Sequence, residues 1–361
     1  MPDAPLFSVC IPQYNRTSFV LEACRSLAGQ TFRDFELCIS DDCSSDGRER
    51  ELLSFLEASG MAFVYRRQAE NGRYDRNLRA AIALARGRYC VLLGNDDRLA
   101  DPETLEHLRG GLSSAGQVGV AVGNYEDCAT ARLFVRAPRS GVIGSGPSVA
   151  VRQYRNFSFL SGIVLDTARA QAHATDRWDG SEMYQVFVAC RIIAEGLPLL
   201  GVTRVTVRKG IQLPGERVDS YARPVSGEDR QIRERRLPLV DLGRVVVDAV
   251  APYVPLEERS HLAEGVLLQL LCFPYPYWVV EYRRVRSWKY AVGVCLGMRV
   301  KNIGEGFRFT RWRRLRLGAA YWLSTVVGLL VPVALFRGLY PLLYALAKSP
   351  YSAAIMSRAR R

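Results

Sequence analysis

Two adjacent acids, Asp96 and Asp97, follow residues 89–93, an apolar run of strand length with no helical period. Gly94 and Asn95 stand between. A buried strand that stops there sets both carboxylates at the carboxyl edge of a sheet, where open α/β sheets bind ligands. Neighbouring carboxylates repel unless a positive charge sits with them. A hard divalent cation that also touches phosphate oxygens is the commonest such charge. The plain alternative is a strand followed by an acidic turn, and Asp96-Asp97 taken alone favours it. Two further strand ends shift that balance. Residues 6–11 run into Pro12-Gln13-Tyr14-Asn15-Arg16, and residues 35–40 run into Asp41-Asp42. One acidic strand end is ordinarily structural, whereas several polar strand ends on one edge make a site.

The elements that must position these residues alternate. Thr17 or Ser18 is placed to cap a helix through Val20, Cys24 and Leu27. A second helix runs through Leu52, Leu53 and Leu56, and residues 62–65 are a third strand. Asn71-Gly72 turns into a helix over about 74–86, with Gly87 as its C-terminal stop. Asp101-Pro102 reads as N-cap and first helical residue. The order β-α-β-α-β-α-β predicts an α/β fold with a mostly parallel sheet, helices on both faces, and strand ends that converge. Two more strands are expected over 117–122 and 158–165. Ser161-Gly162 interrupts the latter, allowing close approach of a substrate.

Several classes of protein are excluded. No G-x-G-x-x-G follows the first strand, and no P-loop is present. The stretch from Asp42 to Gly47 imitates a calcium loop, but its twelfth position is Leu53 and a strand precedes it. Of 361 residues, 48% are hydrophobic and 24% charged, an ordinary globular balance with room for one large domain or two smaller ones. The net charge of +13 is unevenly spread. From Lys301 onward, eleven basic residues stand against the single acid Glu305, a balance of +10. They lie beside apolar runs, a membrane-surface pattern more than one for nucleic acid. The nine cysteines form no C-x-x-C pair and several lie in apolar runs, which points to a reducing cytoplasm without disulfides or a zinc site. The acidic start Met1-Pro2-Asp3 leads straight into a strand, so no signal peptide is expected.

Four segments in order then carry a resemblance: Val9-Cys10-Ile11-Pro12-Gln13-Tyr14-Asn15, Ile39-Ser40-Asp41-Asp42-Cys43-Ser44-Ser45-Asp46-Gly47, Asn71-Gly72 to Arg76-Asn77, and Leu92-Leu93-Gly94-Asn95-Asp96-Asp97. Over residues 6–215 the chain resembles the family 2 glycosyltransferases, inverting enzymes of the GT-A fold. The resemblance implies that Pro12, Gln13, Tyr14 and Asn15 line a nucleotide pocket. Asp41 hydrogen-bonds the base with Asp42 close by, and Arg76, beyond Asn71, approaches the diphosphate. Asn95-Asp96-Asp97 takes the place of the family's Asp-x-Asp, with Asp97, beside Asp96, as the ligand of Mg²⁺ or Mn²⁺. Asn95 replaces the usual first Asp, and the segment at Asn71-Gly72 is shorter than the common form. A cation there stabilises the charge on a leaving diphosphate as a Lewis acid, and Arg76 adds a charge-assisted contact.

Inversion by direct displacement needs one base for the acceptor hydroxyl. In the family it opens a helix after the metal motif. Glu182 matches that place, with Asp179 as substitute; otherwise Glu182 is a helix N-terminal carboxylate with Ser181 as cap. Trp178 stacks on a sugar or belongs to the core. Residues 212–236 are a loop that closes over the donor or a plain linker.

Three parts are therefore expected: a GT-A glycosyltransferase domain over 1–215, a flexible linker or loop over 216–236, and a helical, basic, membrane-associated region over 237–361. Residues 317–336 carry no charge and as a helix reach about 30 Å. Arginines flank both ends, so a span would leave one basic cluster on the wrong face. Helices lying in the cytoplasmic leaflet are preferred to a span, and to a soluble subdomain or dimer interface. Together these imply a hexosyl or deoxyhexosyl transferase acting from a nucleotide-sugar donor on a saccharide acceptor. The tail, with what many members of the family it resembles do, implies that this acceptor is lipid-linked, at the cytoplasmic face of a bacterial inner membrane, in O-antigen or exopolysaccharide assembly. A sugar-phosphate nucleotidyltransferase would need a glycine-rich loop after the first strand. An inactive membrane-bound scaffold would not need these acids.

Overall fold

The computed structural model describes residues 4–216, 238–285 and 287–339. The chain divides into two compact units, Met1–Asp219 and Ser220–Arg361.

The first unit is built on one ten-stranded sheet. Strands β1 (Phe7–Gln13), β2 (Phe35–Asp41), β3 (Ala62–Arg67) and β4 (Tyr89–Leu92) alternate with helices α1 (Thr17–Ala28), α2 (Glu49–Ala58) and α3 (Arg73–Ala83). They lie side by side in the order β3-β2-β1-β4, all parallel. Strands β1, β2 and β4 are buried along almost their whole length, as strands covered on both faces must be. Register fixes the site: Gln13 pairs with Asp41 and Cys10 with Leu92, so the three chains leave the sheet at the same edge.

Beyond β4 the sheet becomes mixed. Strand β5 (Arg98–Leu99) and helix α4 (Thr104–Ala115) lead to β6 (Val120–Asp127), and β7 (Leu133–Phe134) and β8 (Gly141–Gly144) follow. Helix α5 (Pro147–Gln153), β9 (Ile163–Asp166), helices α6 (Thr167–Ala172) and α7 (Tyr184–Ala194), and β10 (Leu199–Lys209) complete the unit. Strand β9 lies antiparallel between β4 and β6, with Val164 opposite Val91. The expected mostly parallel pairing holds for the first four strands and again for β6 with β10, and it is interrupted at β9, because strand direction is absent from apolar periodicity. The reversal has a consequence. It brings the residues before β9, Ser161 among them, to the edge where β4 ends.

Expected helix signals were displaced by contacts from elsewhere. Helix α1 begins at Thr17, but its cap is Asp46, which accepts from the Thr17 amide at 3.2 Å and the Thr17 hydroxyl at 2.7 Å. Helix α4 begins at Thr104, and Asp101 instead makes a turn, accepting from the Glu103 amide at 3.1 Å. Helix α3 ends at Ala83, so Gly87 is not its stop. A Cβ on Gly87 would lie 2.8 Å from the backbone of Phe7 and Ser8, and glycine permits that approach. Beside it Glu36 is almost fully buried and bound by Ser8 Oγ at 2.7 Å and Arg86 Nη2 at 2.6 Å. Burial opposes its ionisation, yet the Ser8 and Arg86 bonds hold its carboxyl below the usual range.

The second unit is helical: α8 (Pro238–Val250), α9 (Arg259–Cys272), α10 (Pro274–Val285), α11 (Trp288–Gly297), α12 (Val300–Ile303) and α13 (Arg311–Leu330). Helix α9 ends at Cys272, and Pro274 and Pro276 fall in the first turn of α10, where a missing N–H is tolerated. The charge-free stretch expected at 317–336 is not one helix. It ends at Leu330, turns by 118°, and resumes over Val333–Leu339. Among the described residues no single helix is long and apolar enough to cross a membrane. Residues 340–361, with the basic residues Lys348, Arg358, Arg360 and Arg361 of the tail, lie outside the described residues, as does the part of the expected loop from 217 to 236.

Candidate active site

The polar strand ends are bonded to one another. The side-chain carbonyl of Gln13 accepts from Asn95 Nδ2 at 2.6 Å, and its backbone carbonyl accepts from Asn77 Nδ2 of α3 at 3.0 Å. Arg16, just ahead of α1, forms an ion pair with Asp96. Asn15 sits in the left-handed region at φ 47°. Its amide donates to Ser44 Oγ at 2.9 Å, and its Oδ1 accepts from the Ser45 amide at 2.5 Å. Asp41 Oδ1 accepts from the Ser44 amide at 2.7 Å. Asp42 closes the far side, accepting from the Gly72 amide at 2.7 Å and the Arg73 amide at 2.9 Å, at the start of α3. Burial raises its pKa, and those two N–H groups oppose the rise.

Pro12 is half-buried between these groups and Tyr14 is exposed, leaving a ring face for a planar ligand. Asn71 accepts from the Arg73 amide at 3.1 Å. Arg76 packs its stem against Gly72 and pairs with Glu70 at 2.7 Å, and its charge acts on Asp42. Two buried polar atoms, Gln13 Nε2 and Asn77 Oδ1, have no hydrogen-bond partner.

Asp97 is buried at 3% exposure. Its Oδ2 accepts from Ser161 Oγ and its Oδ1 from the Gly210 amide at 2.8 Å, just past β10. Ser161 also accepts from the Gly94 amide at 2.8 Å. The close approach expected at Ser161-Gly162 is thus made within the protein. Gly162 leaves room for the buried guanidinium of Arg136, which a Cβ would meet at 2.8 Å. Burial, with the charge of Asp96 second, pushes the Asp97 carboxyl up to about 7. A Cβ on Gly94 would lie 3.1 Å from Asp97 Oδ2 and 3.4 Å from Asp96 Oδ1, so the glycine keeps open the space that both carboxylates face. A buried anion beside a second anion, over a clear space, fits a divalent cation held by two protein carboxylates. Among the described residues no group of three or more His, Cys, Asp or Glu gathers to hold one. Remaining ligands would come from a diphosphate and water.

The expected bases lie in the loop before α7. Asp179 is held by Arg79 of α3 through both oxygens, at 2.6 and 2.8 Å. Glu182 is exposed and left-handed, at φ 59°. It is not the carboxylate on the helix N-terminus, because α7 begins at Tyr184. That role belongs to Asp75, a residue of α3 that was not singled out in the sequence. It accepts from the amides of Gly180, Glu182 and Tyr184 at 2.8, 2.9 and 3.0 Å, and it is almost fully buried. Tyr74 adds a bond from its hydroxyl to Gln185 at 3.0 Å. Helix α3 therefore grips the loop with Tyr74, Asp75 and Arg79, while Asn77 ties it to Gln13. An acid in a helix's first turn reads as ordinary dipole compensation, so nothing in the sequence set Asp75 apart. Trp178, half-buried, lies against Arg177 with the guanidinium 5.6 Å from the ring centre.

Asp75→Asn replaces one acceptor oxygen by a donor facing backbone N–H groups. Each buried N–H left unpaired costs about 1–3 kcal/mol. The expected result is faster amide exchange at Gly180, Glu182 and Tyr184, with β1 and β2 still protected. Unchanged exchange at these three amides would show that Asp75 does not hold the loop.

Comparison with known proteins adds to this geometry. The family profile for Glycosyl transferase family 2 matches residues 8–164. Abequosyltransferase RfbV of Salmonella typhimurium is 41% identical over 97 residues, 26% of this chain and 29% of that protein. A PGL/p-HBAD biosynthesis glycosyltransferase of Mycobacterium bovis is 37% identical over 103 residues, 28% of this chain and 40% of that protein. The chain thus spans less than half the length of these curated relatives. The crystal structure of S. aureus TarS 1–349 in complex with UDP-GlcNAc superposes with a TM-score of 0.52 at 16% identity, covering 84% of this chain and 93% of that one. That likeness speaks for the fold alone, an α/β sheet of GT-A type.

Proposed function

We infer, for a chain that carries a family 2 glycosyltransferase domain in residues 8–164, that it moves a sugar from a nucleotide-sugar donor to a hydroxyl of a saccharide acceptor with inversion. The observation that carries the reading is the approach of Asp96 and Asp97 to Gly94, joined through Gln13–Asn95 and Arg16–Asp96 to the strand end at residues 12–16, which pairs with Asp41. Tyr14 and Asp41 take the base, a planar group with polar edges. Asp96 and Asp97 would hold Mg²⁺ or Mn²⁺, which when bound supplies Lewis-acid stabilisation to the leaving diphosphate. Arg16 offsets one of the two carboxylate charges. Glu182 takes the acceptor proton; Asp179 has both oxygens on Arg79, which makes it the weaker candidate.

The abequosyltransferase and the PGL/p-HBAD biosynthesis glycosyltransferase among the relatives, and the UDP-GlcNAc complex among the solved structures, support sugar transfer from a nucleotide-sugar donor, which this reading places in surface polysaccharide synthesis. The acceptor is a lipid-linked saccharide, met at the cytoplasmic face of the bacterial inner membrane. The protein associates with that membrane peripherally or monotopically.

A thermal-shift screen of UDP, GDP, CDP and dTDP tests the donor side. One nucleotide is expected to raise the melting temperature with Mn²⁺ and lose most of that effect in chelator, since a ligand stabilises by RT ln(1 + [L]/Kd). No shift with any nucleotide would overturn the reading.

A further inference from the structure

We propose that helix α13 and the short helix Val333–Leu339 form a wedge that docks this protein in one leaflet of an anionic bilayer and turns back without crossing it. This deepens the membrane side of the reading above and does not depend on the donor chemistry. The first observation is that α13 is inside out. Its buried face is small and polar: Tyr321, Ser324, Thr325 and Gly328, with Leu317. Tyr321 donates to the Cys295 carbonyl at 2.9 Å, and Thr325 shares a 2.7 Å hydrogen bond with the Tyr275 hydroxyl. Its outer face carries Trp312, Leu315, Trp322, Leu323, Val326 and Leu330, with Trp312 77%, Leu323 67% and Leu330 71% exposed. A helix on a water-soluble surface has the opposite arrangement. A contiguous outward apolar face marks an interaction surface.

The second observation concerns the break. Pro332 brings no N–H to the carbonyls at the end of α13. Arg283 of α10 donates from Nη1 to the carbonyls of Gly328 and Val331, both at 2.9 Å. Backbone groups freed within a bilayer must find a protein partner. Here the partner is built in. The 118° turn exceeds a right angle, so the second helix heads back toward the side from which the first came.

Charge selects the occupant. Arg311 and Arg314 are exposed at the start of α13, and Arg337 is exposed near the end of the second helix. Arg313 and Arg316 are set against the buried Glu264 of α9, at 3.2 and 3.1 Å, which anchors this end of the helix. An apolar face bordered by arginines, with tryptophans on the same face, matches the boundary between anionic headgroups and acyl chains. A second copy of the chain would bring the same arginines against their own kind.

Flotation of the full chain with vesicles of phosphatidylglycerol and phosphatidylcholine, against phosphatidylcholine alone, tests this. The wild type is expected to float with the anionic vesicles, at least tenfold more than with neutral ones. Trp322→Glu with Leu323→Glu should reduce flotation at least tenfold, and Arg311→Gln with Arg314→Gln should weaken it and flatten its salt dependence. Donor-induced thermal shifts, read on the same variants, should stay as in the wild type. Wild-type protein left at the bottom of the gradient overturns the inference, as does a Trp322/Leu323 variant that still floats. A wild-type dimer that the same variant makes monomeric, without flotation of either, assigns the face to a second copy and overturns it as well. A Leu339→Cys variant whose new thiol reacts with an impermeant label only after the vesicles are opened overturns the one-leaflet geometry in favour of a span. Absence of any donor shift, with flotation intact, would instead fail the transferase reading and leave the wedge standing.

Discussion

Asp97→Asn should leave a folded protein that has lost sugar transfer. The substitution is nearly isosteric. Its carbonyl oxygen can still accept from the Gly210 amide, now 2.8 Å from Oδ1, and its amide can face the Ser161 hydroxyl. It removes the charge and turns the atom facing Ser161 into a donor, which the Ser161 hydroxyl oxygen can accept. That charge is held at a place where burial and Asp96 push the carboxyl up to about 7. The fold gains nothing from keeping an anion there, and a neutral side chain relieves a desolvation penalty. The melting temperature of the metal-free variant should therefore match the wild type or exceed it. Activity should move the other way. Lewis-acid stabilisation of a leaving diphosphate is worth several kcal/mol, so the turnover loss is on the order of a thousandfold or more. The Mn²⁺-dependent part of the nucleotide thermal shift should vanish with it. Full turnover of the wild type in excess chelator would remove the metal from this site, and full turnover of the variant would remove Asp97 from the chemistry. A group that the fold would be more stable without, placed where a ligand is expected, is what a site that trades stability for function contains.

The strands were legible because burial on both faces writes itself as apolar runs. Residues 6–11, 35–40 and 89–93 became β1, β2 and β4 within a residue or two, and their polar ends emerged at one edge because parallel neighbours share direction. What the sequence withheld has one recurring physical cause. Helix caps were sought next to the helices they close, but the acids that close them come from far along the chain. Asp46 caps α1 from 29 residues away, Asp42 meets the start of α3 from 30 and 31, and Asp75 meets the start of α7 from 105 to 109. Each of those acids reads locally as a loop or first-turn residue. The reversal of β9 was hidden for a related reason, since a buried strand reads alike in either direction. The break in the tail falls where the apolar pattern alone expects one helix: Pro332 disfavours the helical conformation in Val331, which is extended at ψ 132°. The outward turn of the apolar face was not legible, because which side of a helix a protein buries is decided by its neighbours.

Glu182→Gln should lower turnover by about 10²–10⁴-fold, the usual worth of general base catalysis, with the nucleotide thermal shift unchanged. The side chain keeps its size and most of its hydrogen-bonding capacity but cannot take a proton. Stability should hardly move. The dipole of α7 is met by Asp75 and not by Glu182, so the 0.3–1 kcal/mol or so expected from a helix-end carboxylate is not at stake. The left-handed backbone at φ 59° is fixed through the Glu182 amide, which donates to Asp75 at 2.9 Å in either variant. Asp179→Asn should behave in the opposite way. It breaks a two-point ion pair with Arg79, at 2.6 and 2.8 Å, so the loop between α3 and α7 loosens. For a pair with this much exposure that loss is about 1 kcal/mol or less, and turnover should fall only as far as the loop's order does. The two variants therefore separate proton transfer from positioning. A dead Asp179→Asn beside a normal Glu182→Gln would make Asp179 the base and Arg79 the residue that orients it. Normal turnover in both would place the base outside this loop, and α3 would then hold the loop for the acceptor's shape alone.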